Sequence, residues 1–182
     1  MGDVGPPGDS RELLVLRHAK ASRGGHESDF DRPLTKRGRR DAPRMARWIK
    51  ARDLLPDCIV SSPARRARET AELVVEELEL AKDAIRWEPR VYEASARDLM
   101  TVLLDCPAAA RRVLLVGHNP GLEDLVHRLA GGSVREPEEG KFLPTGALAR
   151  LRVAVPWNEL RAGAAELVDL ARPRFLDDDA DG

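Results

Sequence analysis

The chain has 182 residues, with 30 basic and 31 acidic side chains, a formal net charge of −1 and two cysteines. That length suits one ordinary domain whose core needs no disulfide or metal, and the charge balance argues against a broad surface for nucleic acid or anionic membrane. No stretch has the apolar length of a bilayer span or a signal peptide, so a cytoplasmic protein is expected; the sequence carries no strong dimer signal, so a monomer is expected.

Residues 1–10, rich in Gly and Pro, read as a loose arm. "ELLVL" (12–16) is a continuous apolar run, as in a strand covered on both faces, and it ends abruptly on Arg17-His18. "TKRGRRDAPRMARWIKAR" (35–52) reads as a helix with Thr35 as N-cap; Gly38 and Pro43 weaken its first turns. "DCIV" (57–60) is the next strand, and a helix follows with Ser62 expected as cap and Pro63 as its first residue. "AIRWEP" (84–89) suits an exposed or edge strand. "SARDLMTVLLDC" (95–106) opens with Ser95 and Asp98 in capping-box spacing. "RRVLLVG" (111–117) is a second buried strand, followed by a helix with Asn119 as expected cap and Gly131-Gly132 as stop. "GALARLRV" (146–153) and "AAELVDLA" (164–171) read as two last strands, and residues 173–182 as an acidic, disordered tail.

This alternation implies one α/β domain over residues 11–172. Its expected form is a three-layer sandwich, a mostly parallel central sheet with helices on both faces. Ligands of such sheets bind beyond the carboxyl ends of the strands. Three buried strands end there on Arg17-His18, on "SSPARRARET" and on "GHNPG" with His118. Two imidazoles, several guanidiniums and free helix N–H groups together suit a doubly charged oxyanion such as phosphate. Of the clustered Arg65, Arg66 and Arg68, only one need reach it. Ser22 is a further candidate donor to phosphate, Lys20 a candidate for steering anions, and Asn119 a candidate substrate contact.

"LRHAK", "DFDRPLTKRG", "SSPARRARETA" and "VGHNPGLEDLV" closely resemble the histidine phosphatase superfamily, and within it the small SixA-type phosphohistidine phosphatases. The resemblance implies a phosphoglycerate mutase-like fold and a phosphatase that works through a phosphohistidine. His18 matches the nucleophile, Arg17 and Arg66 the phosphate-binding arginines, and His118 the second histidine. Glu93, in "VYEAS", matches the acid that protonates the leaving group. Where many members read Arg-His-Gly, this chain has Ala19-Lys20, which resembles the SixA-like subgroup. The implied substrate is a phosphorylated protein such as a phosphotransfer domain. The alternatives are a small phosphate ester (a sugar phosphate or nucleotide) and a non-catalytic phosphate- or partner-binding module.

Elementary chemistry adds its own demands. A nucleophilic imidazole must be neutral, with a free lone pair on one nitrogen and an acceptor holding the other, for which a backbone carbonyl is expected. Flanking arginines disfavour its protonated form. Asp31 and Arg32 are expected to order the loop over the site. His26 is expected to be exposed, His127 structural or exposed, and Cys58 and Cys106 small buried hydrophobes. The sequence has no metal-ligand spacing or glycine-rich nucleotide loop, so no metal or other cofactor is expected.

Overall fold

The computed structural model describes residues 10–134 and 141–176. Ten regular elements follow one another: β1 (Arg11–Arg17), α1 (Lys36–Ala51), β2 (Cys58–Ser61), α2 (Arg65–Glu77), β3 (Ile85–Trp87), α3 (Ala96–Leu104), β4 (Arg112–Gly117), α4 (Gly121–Ala130), β5 (Leu148–Val153) and β6 (Ala165–Ala171). They form one six-stranded sheet in the order β3-β2-β4-β1-β5-β6. The first four strands in that order are parallel, and β5 and β6 add antiparallel pairings at one side.

Period-two alternation inside the apolar runs builds the layers. Leu13 and Val15 of β1, with Val113 and Leu115 of β4, face the core formed with α3 and α4. Leu14 and Leu16, with Leu114 and Val116, face α1 and α2. Leu13, Leu14, Val15 and Leu16 are all at most 1% exposed; burying each such side chain contributes about 1.5–3 kcal/mol. At the far end of β1, Glu12 accepts from Arg112 of β4 (2.7 Å) and Arg150 of β5 (2.9 Å), tying three strands together where no site is needed.

Thr35 caps α1 as expected, accepting from Gly38 N at 3.1 Å, and Ser95 and Asp98 close the capping box of α3. The helix runs through Pro43 without interruption. Gly38 is explained by a close approach: a Cβ there would lie 2.2 Å from the Lys20 carbonyl oxygen. Gly121, at the start of α4, does the same for Ala94, whose carbonyl would lie 2.1 Å from an added Cβ. Both glycines let a helix N-terminus press on a loop that carries site residues.

Two expected caps are corrected. α2 is capped by Ala64 with no side-chain bond, because β2 runs on through Ser61 and Ser62-Pro63 form the connection. α4 starts after Pro120, and Asn119 turns its amide to Glu123 and the Leu143 carbonyl instead. The expected tail boundary also shifts: Pro173–Phe175 form a 3-10 turn with Pro173 buried. Residues 1–9 and 177–182, the rest of the expected arm and tail, lie outside the described residues. Cys106 is buried and Cys58 half-buried. Among the described residues no helix is long and apolar enough to cross a membrane.

Candidate active site

The parallel pairing of β1, β2 and β4 brings their carboxyl ends side by side, with Arg17 level with Gly117 and Ser61 level with Val116. The residue after each strand is therefore delivered to one place. His18, 7% exposed, is held by its neighbour: Nδ1 lies 2.8 Å from the Ala19 carbonyl oxygen. A carbonyl only accepts, so Nδ1 carries the proton and Nε2 keeps its lone pair. That nitrogen faces the Arg66 Nε–H at 3.3 Å.

Burial is the largest cause of the low His18 pKa, which falls from 6.5 to about 3; the bond to Ala19 opposes it, and His118, Arg66 and Arg17 lower it further. The arginines thus act in the direction the sequence suggested, reinforcing what desolvation already does. His118 is pushed down to about 4, again first by burial and then by Arg66. Both imidazoles are neutral at physiological pH, and their ring centroids lie 5.2 Å apart. The His118 Nε2 meets Ser62 Oγ at 2.8 Å, while its buried Nδ1 has no hydrogen-bond partner in the protein.

The choice among the clustered arginines is resolved by helical phase. Arg66 lies on the buried stripe of α2 with Ala67, Thr70, Ala71 and Val74, and is 5% exposed. Arg65 points outward and pairs with Glu69 at 2.9 Å. Thr70, one turn after Arg66, accepts from Ala19 N (3.0 Å) and donates to Arg66 O (2.7 Å), so one hydroxyl sets the histidine loop against the arginine helix.

A cleft of ≈ 660 Å³ opens above these groups; Arg66, His118, Asn119, Glu93 and Asp124 are among its walls. Glu93 sits on it in a left-handed backbone conformation (φ 54°), which costs about 1–2 kcal/mol for a residue with a Cβ. Arg17 flanks the site from the other side. It donates to the Leu143 carbonyl at 3.0 Å and, with Asn119 and Glu123, lines an adjoining cleft of ≈ 380 Å³. Ser22 lies behind the loop, its carbonyl held by Arg32 at 2.7 Å and its buried hydroxyl without a protein partner. Lys20 and His26 are exposed, and the His127 ring packs 4.9 Å from that of Phe142. Among the described residues no three His, Cys, Asp or Glu side chains group as metal ligands would.

Two participants were not anticipated. The 3-10 turn Asp29–Asp31 brings Asp29, rather than Asp31, to the site. Asp29 takes both terminal nitrogens of Arg66, through its carbonyl (2.6 Å) and Oδ2 (3.2 Å), and Oδ2 also accepts the Tyr92 hydroxyl at 2.7 Å. The Tyr92 bond, with Arg66 beside it, holds the Asp29 carboxyl down at about 2. The Tyr92 ring also packs edge-on against both Phe30 and His118, with centroids 5.0 and 5.6 Å away. Asp31 serves the turn itself, accepting from Ser28 Oγ at 2.6 Å, while Arg32 bridges Asp29 to Ser22.

Comparison with known proteins bears on this geometry. A family model of the histidine phosphatase superfamily (branch 1) matches residues 13–101. An uncharacterized protein of Mycobacterium tuberculosis is 33% identical over 168 residues, spanning 87% of this chain and 100% of that one. A solved structure assigned as the phosphohistidine phosphatase SixA of Nakamurella multipartitia superposes with a TM-score of 0.79, at 28% identity, over 92% of this chain and 99% of that one. The protein histidine phosphatase SixA complexed with tungstate shares the fold at a TM-score of 0.73 and 23% identity, over 91% and 99% of the two chains.

Proposed function

The chain belongs to the histidine phosphatase superfamily, in its SixA-type branch, and on that premise we propose that it hydrolyses phosphohistidine on a protein through a phosphoryl group carried on His18. The observation that carries the mechanism is the bond from His18 Nδ1 to the Ala19 carbonyl, which leaves the Nε2 lone pair facing the buried Arg66 guanidinium.

In the first step Nε2 attacks phosphorus. The bond from phosphorus to the substrate's ring nitrogen breaks, and its electron pair leaves with that nitrogen, which is protonated. Arg66, Arg17 and His118 meet the charge spread over the three peripheral oxygens. Ser62 Oγ accepts from Ala64 N at 3.2 Å; in the tautomer where its own proton is given to His118 Nε2, that ring carries a proton on Nδ1 to offer an oxygen. In the second step water attacks phosphorus, the bond to His18 breaks, and inorganic phosphate is released. Asn119 borders the substrate and Ser22 backs the loop that covers it.

The substrate is favoured by the carboxylates of the cleft. Glu93 and Asp124 line it together with Arg66 and His118. A phosphohistidine ring is cationic once protonated, and carboxylates lining the cleft favour binding in that activated form; as the P–N bond breaks, its electron pair leaves the ring neutral, whereas the alcohol of a sugar phosphate carries no such charge at any stage. Glu93 is then the leaving-group acid or its electrostatic partner. The test is phosphate release, with no added metal, from a phosphohistidine-bearing phosphotransfer protein, a sugar phosphate and a nucleotide, by wild type and His18→Ala. Release that needs His18 and is fastest from the phosphoprotein supports the proposal. A preference for either small molecule overturns the substrate.

A further inference from the structure

Three of the five N–H groups of Arg66, one on each nitrogen, have acceptors within the protein. Nε faces the His18 lone pair at 3.3 Å, Nη1 donates to the Asp29 carbonyl at 2.6 Å, and Nη2 to Asp29 Oδ2 at 3.2 Å. An incoming phosphoryl group therefore meets a guanidinium already committed in part to protein acceptors, and to take its Nη2 face it competes with the carboxylate there. The atom it would replace is Asp29 Oδ2, an anionic oxygen that accepts from a guanidinium and from the Tyr92 hydroxyl at once. Those are the partners a phosphoryl oxygen would seek.

The carboxylate is also built to leave. Its side chain is 54% exposed, while that of Arg66 is 6% exposed. It stands on a three-residue turn in a stretch, residues 23–31, whose side chains are all exposed. Arg32, just after that segment and anchored to the Ser22 carbonyl at 2.7 Å, holds Oδ1 at 3.0 Å and offers the carboxylate a cationic partner besides Arg66.

We propose that Asp29 is an internal stand-in for the phosphoryl group and determines what the site accepts: it occupies Arg66 at rest, yields only to an anion that outcompetes a carboxylate, and retakes Arg66 as inorganic phosphate leaves. This deepens the reading of His18, Arg66 and His118 as a phosphoryl site and rests on it. Without Asp29 the cradle would bind its own product too well. With it, the affinity for free phosphate is lowered and release is assisted by a competing group that never leaves the molecule.

A purely positioning role makes the opposite prediction. If Asp29 only orients Arg66, removing it weakens oxyanion binding. If it competes for Arg66, removing its charge strengthens binding. Asp29→Asn keeps an acceptor for Arg66 and Tyr92 but drops the charge; Asp29→Ala drops both. The experiment is calorimetric titration of the full-length protein with inorganic phosphate and, separately, with tungstate, for wild type and both variants, with thermal melts to establish that each is folded. The proposal expects both variants to bind both anions more tightly, by about two- to fivefold for a half-exposed charge pair. Inhibition of turnover by phosphate should sharpen by the same factor, and KM for a phosphorylated substrate should fall. Unchanged or weaker binding by Asp29→Asn overturns the proposal and leaves Asp29 as a positioning residue. No binding of either anion by wild type or either variant overturns the phosphoryl-site reading itself, and the proposal with it.

Discussion

Replacing His18 with Asn removes one titrating group and leaves a side chain that can still donate to the Ala19 carbonyl. Folded His18 gains a proton only near pH 3, whereas in the unfolded chain it does so near 6.5. Between those values the unfolded state binds the extra proton, so the wild type loses stability as pH falls through 6.5 and continues to lose it down to about 3. At pH 4.5 the unfolded His18 is almost fully protonated and the folded one almost entirely neutral, which amounts to about 2–3 kcal/mol of stability lost relative to pH 7.5. Other groups add their own pH dependence, but they are shared by both proteins and largely cancel in the difference. Urea unfolding at pH 7.5 and 4.5 measures it: the wild type should lose about 2–3 kcal/mol more than His18→Asn over that interval. Equal losses in the two proteins would mean that His18 is not held neutral by burial, and the argument for a ready nucleophile would fail.

Thr70→Val preserves shape but strips the Ala19 N–H of its buried acceptor; a loss of about 1–3 kcal/mol is expected by urea titration, with Thr70→Ser restoring most of it. Gly38→Ala drives a Cβ into the Lys20 carbonyl 2.2 Å away, and because that carbonyl lies two residues beyond His18, turnover should fall by an order of magnitude or more, about 10²-fold for a shift near 1 Å. An unaltered rate would show that the loop yields without moving the histidine. Arg66→Lys keeps the charge but not the planar fork, so kcat on a phosphorylated substrate should drop about 10²–10³-fold. A drop of less than threefold would remove Arg66 from the transition state.

Much of the scaffold is legible locally. The run Leu13–Leu16 reads as a strand buried on both faces because it is short, continuous and apolar, and Thr35 and the Ser95–Asp98 pair announce helix starts through cap chemistry that needs no tertiary context. Ser62 and Asn119 mislead for the same reason. Their side chains look like caps, but His118 and Ala64 take the one hydroxyl while Glu123 and Leu143 take the amide. The choice of Arg66 over Arg65 was within reach, since residues 66, 70 and 74 of α2 form one buried stripe and 65 falls off it. Asp29 and Tyr92 were not. Sixty-three residues separate them, and their meeting depends on a 3-10 turn and a loop that carries a non-glycine residue in the left-handed region. "DFD" offers two similar carboxylates, and only the turn's orientation decides that Asp29 enters the site while Asp31 serves the cap.

The central claim is that His18 Nε2 takes the phosphoryl group. Brief mixing of the protein with a phosphohistidine-bearing phosphotransfer protein, followed by alkaline quenching and peptide mass spectrometry, tests it directly, because phosphoramidates survive base and are lost in acid. The account predicts a transient acid-labile phosphoryl group on the peptide containing His18, absent in His18→Ala. Phosphate release by wild type with no such adduct at early times, or an unimpaired rate in His18→Ala, would contradict it.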